Sequence, residues 1–202
     1  MSTKQKILDQ ALHQFNTDGV EKITTRHIAK ELGISQGNLH YHFPNKEEII
    51  TQLFTDFLTE TKAVESFPKS NLQNPEEVIG SMIDNFEVML KYQFLFRDNE
   101  VVWRRVPTIK ADVIQLFQNV KVRILELIWS YKKNGIIRHE ISNAQLNYLA
   151  DQFVFNISTW LVGSTYVGKI KNPHKFYAKT LFRLWLPYLK EEEMIKWESI
   201  LS

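Results

Sequence analysis

Apolar residues recur along this chain at steps of three and four, and the alternating β-branched runs that mark strands are missing. The pattern predicts an all-α fold. Ile7, Leu8, Ala11, Leu12 and Phe15 form one stripe of a first helix over residues 3 to 18, which Gly19 closes. A second, short helix starts behind Thr24 or Thr25, buries Ile28, Ala29 and Leu32, and stops at Gly33. Ser35 caps a third helix of about two turns, which Pro44 ends. Joined by Gly33, Ile34 and Ser35, the second and third helices read as a helix-turn-helix with Ile34 and Leu39 as apolar clamps.

A fourth helix, from about 45 to 65, carries Ile49, Ile50, Leu53, Phe54, Phe57 and Leu58. The stretch "SFPKSNLQNPEE", residues 66 to 77, reads as a loop by its Pro, Ser and Asn content, and Pro75 suits the first turn of the next helix. Further helices are expected near 75–94, 97–105, 108–134, 142–168, 173–189 and 191–200. Eleven of the 13 phenylalanines and all five tryptophans lie beyond residue 50, so this part is a larger, aromatic-rich bundle. The expected division is a helix-turn-helix domain over 1–46 and a helical bundle over 47–202, with helix 4 connecting them.

The 202 residues, 44% hydrophobic and 24% charged, suit a soluble globular protein, expected in the cytoplasm. Without cysteine there are no disulfides, thiolate zinc sites, iron-sulfur clusters or thiol redox sensors. The opening "MSTKQKILDQALHQF" meets Asp9 before any apolar run develops, unlike a signal peptide. Residues 152–168 carry no charge, yet Asn156, Ser158 and Thr159 interrupt them and they are too short to span a bilayer. They read as a buried soluble helix, so no membrane partner is expected.

The segment "SQGNLHYHFPNK", residues 35 to 46, concentrates the chemistry. His40 and His42 suggest a metal, but residues two apart on a helix diverge by roughly 200° and only i, i+4 pairs share a face. No metal site and no cofactor is expected. Neither histidine has a nucleophile or acid at a recognisable local spacing, so an enzyme is not expected either. Double-stranded DNA explains more. Gly37 lets a backbone approach a groove closely despite roughly 1 kcal/mol of lost helix propensity. Gln36 and Asn38 are amides able to read base edges, best at adenine. His40 and Tyr41 are sized for phosphate oxygens or a thymine methyl. Thr25 and Arg26 would lie on the flanking backbone, and Lys46 would reach a phosphate beside its helix N-terminus. His42 fits either a phosphate contact or a structural bond, and Phe43 belongs to the core. Residues 1–46 hold six Lys or Arg against four acidic residues, a balance of +2, which favours two heads acting together.

Through "ILDQALHQFNTDGVEKITTRHIAKELGISQGNLHYHFPNKEEII", residues 7 to 50, the sequence resembles the TetR family of bacterial transcriptional repressors. The resemblance implies a three-helix DNA-binding head joined through helix 4 to a ligand-binding and dimerisation domain. It implies DNA contacts from Thr25, Arg26, Gln36, Gly37, Asn38, His40, Tyr41, His42 and Lys46. One departure stands out: the family usually has tyrosine where this chain has His40, which would make that contact shorter and pH-sensitive. Further along, "YQFLFRDNEVVWRR" looks like a subgroup of these regulators with an aromatic-Arg-Asp element before the sixth helix.

In the bundle, Phe86, Met89, Phe94, Trp103, Phe117, Phe153 and Trp160 could line an apolar effector cavity, with Arg97, Asp98 or Asn156 as orienting polar groups. Any single aromatic at helical spacing is more often core than cavity lining. The helices at 142–168 and 173–189 look too apolar all round for solvent and are expected to form a homodimer interface. The resulting expectation is a homodimeric repressor released from a palindromic operator by a small apolar or amphipathic effector. Its competitors are an enzyme built in the bundle and a constitutive architectural DNA binder without effector.

Overall fold

The computed structural model describes residues 1–64 and 74–202, and helices account for nearly all of them. In chain order they are α1 (Thr3–Asp18), α2 (Thr25–Glu31), α3 (Gln36–His42), α4 (Lys46–Val64), α5 (Pro75–Lys91), α6 (Phe94–Arg97), α7 (Asn99–Arg105), α8 (Pro107–Lys133), α9 (Asn143–Val167), α10 (Pro173–Arg183) and α11 (Glu191–Leu201). Among the described residues the extended pairing is a single antiparallel bridge between Ile137 and Leu189. Residues 66–73 of the expected loop lie outside the described residues.

Two compact units emerge: residues 1–61 with 91–113, and residues 62–90 with 114–202. The first unit contains the expected helix-turn-helix domain over 1–46 and also takes in α6 and α7. In this first unit Ile7, Phe15, Ile28, Leu39, Ile50 and Phe57 are almost completely buried. Local caps set its short helices. Ser2 Oγ accepts from Gln5 N–H, Ser35 Oγ from Asn38 N–H, and Thr24 and His27 form a reciprocal capping box. Leu39 is the buried clamp expected of it, whereas Ile34 is half-buried.

The helix expected over 97–105 is interrupted at Asp98, where φ is −107° and ψ 27°. Pro107 then excludes a helical Val106, which sits at φ −130° and ψ 80°. The helix expected over 173–189 ends at Arg183, and a 3-10 turn over Leu186–Tyr188 carries Pro187. In the second unit Tyr131, Phe153, Phe182, Trp185 and Trp197 are 1% exposed or less and pack ring against ring.

Candidate nucleic-acid interface

Because α3 is only two turns long, its outward residues form one small surface. Gly37, Asn38, His40 and Tyr41 are exposed there, and Tyr41 is 86% accessible. Arg26 at the start of α2 is exposed as well, and Thr25 is half-buried. A Cβ built on Gly37 would meet nothing nearer than Ser35 Oγ at 3.9 Å, so the fold itself does not require glycine there. His42 is half-buried with its ring edge-on to Tyr41, centroids 5.2 Å apart. Phe43 is core, and the Lys4 ammonium lies 5.5 Å from its ring centroid.

Four of the expected DNA-contact residues, Thr25, Gln36, His40 and Lys46, are bonded inside the protein. Gln36 Nε2 donates to Thr25 Oγ1 at 2.9 Å and faces His40 Nε2 at 2.7 Å. Lys46 departs further from expectation. It is 9% exposed, and its ammonium donates to the carbonyls of Val20 and Ile23 at 2.8 and 2.7 Å. Burial, and then the Arg105 charge, push its pKa below the ordinary lysine value, with Glu21 and Glu47 opposing them. Lys46 thus ties the chain between α1 and α2 to the start of α4 instead of reaching outward.

A second set of polar contacts binds α6 and α7 to the same unit. The Asn16 side chain donates to Lys91 O and accepts from Phe94 N–H. Asp98 Oδ2 accepts from Val20 N–H at 2.7 Å, beside Gly19, whose φ of +87° and 3.2 Å clearance from that oxygen leave little room for a side chain. Arg105 bridges Glu47 and Glu21. Sequence reading missed these roles of Asn16 and Arg105; charge set into the aromatic run "FLFRDNEVVWRR" was a signal for Arg105, and nothing marked Asn16.

The ten residues expected around an effector divide between the units. Phe94, Arg97, Asp98 and Trp103 belong to the first. Phe94, Arg97 and Asp98 line a shallow cleft of about 170 Å³ with residues 15–19, and Trp103 carries the Lys110 ammonium 5.7 Å from its ring centroid. Of the six in the second, Met89 is buried in α5, Phe117 is partly exposed on α8, and Phe153 belongs to the aromatic core. Phe86, Asn156 and Trp160 do come together. With Thr159, Gly163, Tyr177, Thr180, Leu181 and Leu184 they line a cleft of about 210 Å³. Phe86 and Tyr177 flank the Trp160 ring at 4.8 and 5.1 Å between centroids. Burial raises the Tyr177 pKa, so its hydroxyl stays a donor.

Comparison with known proteins decides what this arrangement belongs to. The family model described as bacterial transcriptional repressor matches residues 57–195, and that described as bacterial regulatory proteins, tetR family, matches residues 7–53. The chain belongs to the TetR family. It is a DNA-binding transcriptional regulator and not an enzyme, and its all-α fold is the TetR architecture. A TetR-family transcriptional regulator from Marinobacter aquaeolei VT8 superposes with a TM-score of 0.89 at 25% identity, covering 100% of this chain and 98% of that one. The nucleoid occlusion factor SlmA of Haemophilus influenzae is 20% identical over 90% of this chain and 78% of its own. The biofilm operon icaADBC negative transcriptional regulator IcaR of Staphylococcus epidermidis is 32% identical over 46% of this chain and 44% of its own. Among the described residues of this TetR-family chain, no helix is long and apolar enough to cross a membrane.

Proposed function

We propose that this TetR-family protein is a cytoplasmic, homodimeric repressor that leaves a near-palindromic operator when a small apolar or amphipathic effector binds. The observation that carries DNA reading is the exposed α3 surface, where Gly37 leaves open a space that no part of the fold occupies. Asn38 and Tyr41 are exposed on the same short helix and Arg26 is exposed at the start of α2, groups suited to base edges and phosphates respectively. Repression as the sign of control is supported by likeness to the negative regulator IcaR and by the repressor family model.

Dimerisation through α9 and α10 is supported by apolar side chains left in solvent. Tyr148, Phe155 and Tyr166 are exposed at steps of 7 and 11 on α9, so they share a face, and Phe176 and Leu184 are exposed on and just after α10. The effector site we favour is the Phe86, Trp160 and Tyr177 cleft, whose aromatic lining suits an apolar ligand; its volume of about 210 Å³ lies below the roughly 300 Å³ at which pockets for drug-sized ligands begin. The chain passes between the two units at residues 61–62, 90–91 and 113–114, inside α4, at the end of α5 and inside α8. An effector that favours one setting of these connections by roughly 1–3 kcal/mol suffices for regulation. Selecting bound fragments from the host genome tests the reading. Recovery of a palindromic site, bound more weakly as salt rises, supports it; indifference to sequence and salt would sink it.

A further inference from the structure

Two stripes of exposed side chains flank the Phe86, Trp160 and Tyr177 cleft of the second unit. On α9, exposed Thr159 stands in the stripe of Tyr148, Phe155 and Tyr166; at roughly 100° per residue the four fall within about 40° of one another. On α10 and just past it, Phe176, Thr180 and Leu184 are exposed one turn apart. Thr159 from the first stripe, and Thr180 and Leu184 from the second, all line the cleft, so it lies between the stripes. Its floor includes buried Trp160 and Leu181, while its rim is exposed. At Gly163, also in the lining, a Cβ would meet nothing within 4 Å. None of the nine lining residues is charged, which leaves the rim free of a group that must stay in water. One chain thus supplies a floor and walls for about 210 Å³ but no roof.

We propose that a second copy of this chain roofs the cleft, so that each ligand site is built from two chains. A two-fold interface apposes the same patch on both partners. A copy seated on the Tyr148, Phe155 and Tyr166 stripe and on the Phe176 and Leu184 stripe must pass over the cleft between them. The completed site takes a small uncharged ligand held between the chains, and its binding is linked to how they meet. This rests on dimerisation through α9 and α10.

The chain has no cysteine, so single introduced thiols report on the cleft without background. Thr180→Cys and Gly163→Cys each place one in the lining, and Ser199→Cys, at an exposed position on α11, serves as reference. Maleimide alkylation of the full-length variants is timed across protein concentration, with sedimentation reporting the paired fraction of each. Where about nine chains in ten are paired, both cleft cysteines should react about tenfold more slowly than in the unpaired chain, since only the unpaired fraction reacts. The Ser199→Cys rate should stay constant. Tyr148→Arg lies about 16 Å along α9 from Thr159, too far to alter the thiols directly. Added to either variant, it should unpair the chains and bring the cleft rate up to the unpaired value. If one cysteine variant fails to fold, the other carries the same contrast. Equal rates in paired and unpaired protein would overturn the proposal and leave the cleft a pocket of one chain. Single chains at every concentration would sink the dimer reading itself, and this inference with it.

Discussion

Replacing Lys46 with methionine keeps the length of the side chain but strips both donors from the carbonyls of Val20 and Ile23. Those acceptors stay buried, so unfolding in urea should show a loss of roughly 1–3 kcal/mol. The salt slope of DNA binding should not change; a slope flattened by one unit at unchanged stability would return Lys46 to the phosphates. Gly37→Ala has the opposite signature. The helix gains about 1 kcal/mol of propensity, and nothing in the fold opposes the new methyl group. A protein more stable than wild type but weaker on its operator would show that the missing Cβ serves the DNA. Equal affinity would show that it does not.

Among elements, local and distant determinants were unequally legible in the sequence. The ends of α1, α2 and α3 were readable because each cap lies within three residues of what it caps: Ser2, Thr24 and Ser35. The break between α6 and α7 was not, since Asp98 bonds Val20 and Asn16 bonds Phe94, each pair 78 residues apart. Partners 26 and 23 residues away hid the fate of Lys46, and Phe94, Arg97, Asp98 and Trp103 fall in a different unit from Phe86, Asn156 and Trp160. If Asn16 and Asp98 hold α6 jointly, Asn16→Ala and Asp98→Ala should couple by more than 0.5 kcal/mol in a double-mutant cycle, about the size of experimental additivity error. Strict additivity would mean two independent contacts.

The end of α4 adds a pH-dependent tie. Burial alone would raise the Glu60 carboxyl, but hydrogen bonds from Lys91 and Tyr92 at 2.6 Å overcome it and hold the pKa below the usual value of 4.5. A carboxyl depressed in the folded state adds stability that is complete above its unfolded value and is lost as pH falls through the folded one. Denaturation midpoints should therefore decline below about pH 4.5. In Glu60→Gln that part of the decline should be absent, and an identical decline would remove Glu60 from the account.

For the whole molecule, the central claim is that two copies place two α3 helices in successive major grooves. Phe155→Arg puts charge on the exposed α9 face and should convert dimer to monomer in sedimentation, with operator affinity falling by far more than one lost contact explains. The most direct test is a hydroxyl-radical footprint on the selected operator, taken at a measured protein-to-DNA stoichiometry. Two symmetric protected half-sites centred roughly 34 Å apart, filled together by two chains, are the expected result. A single protected patch filled by one chain would contradict the account.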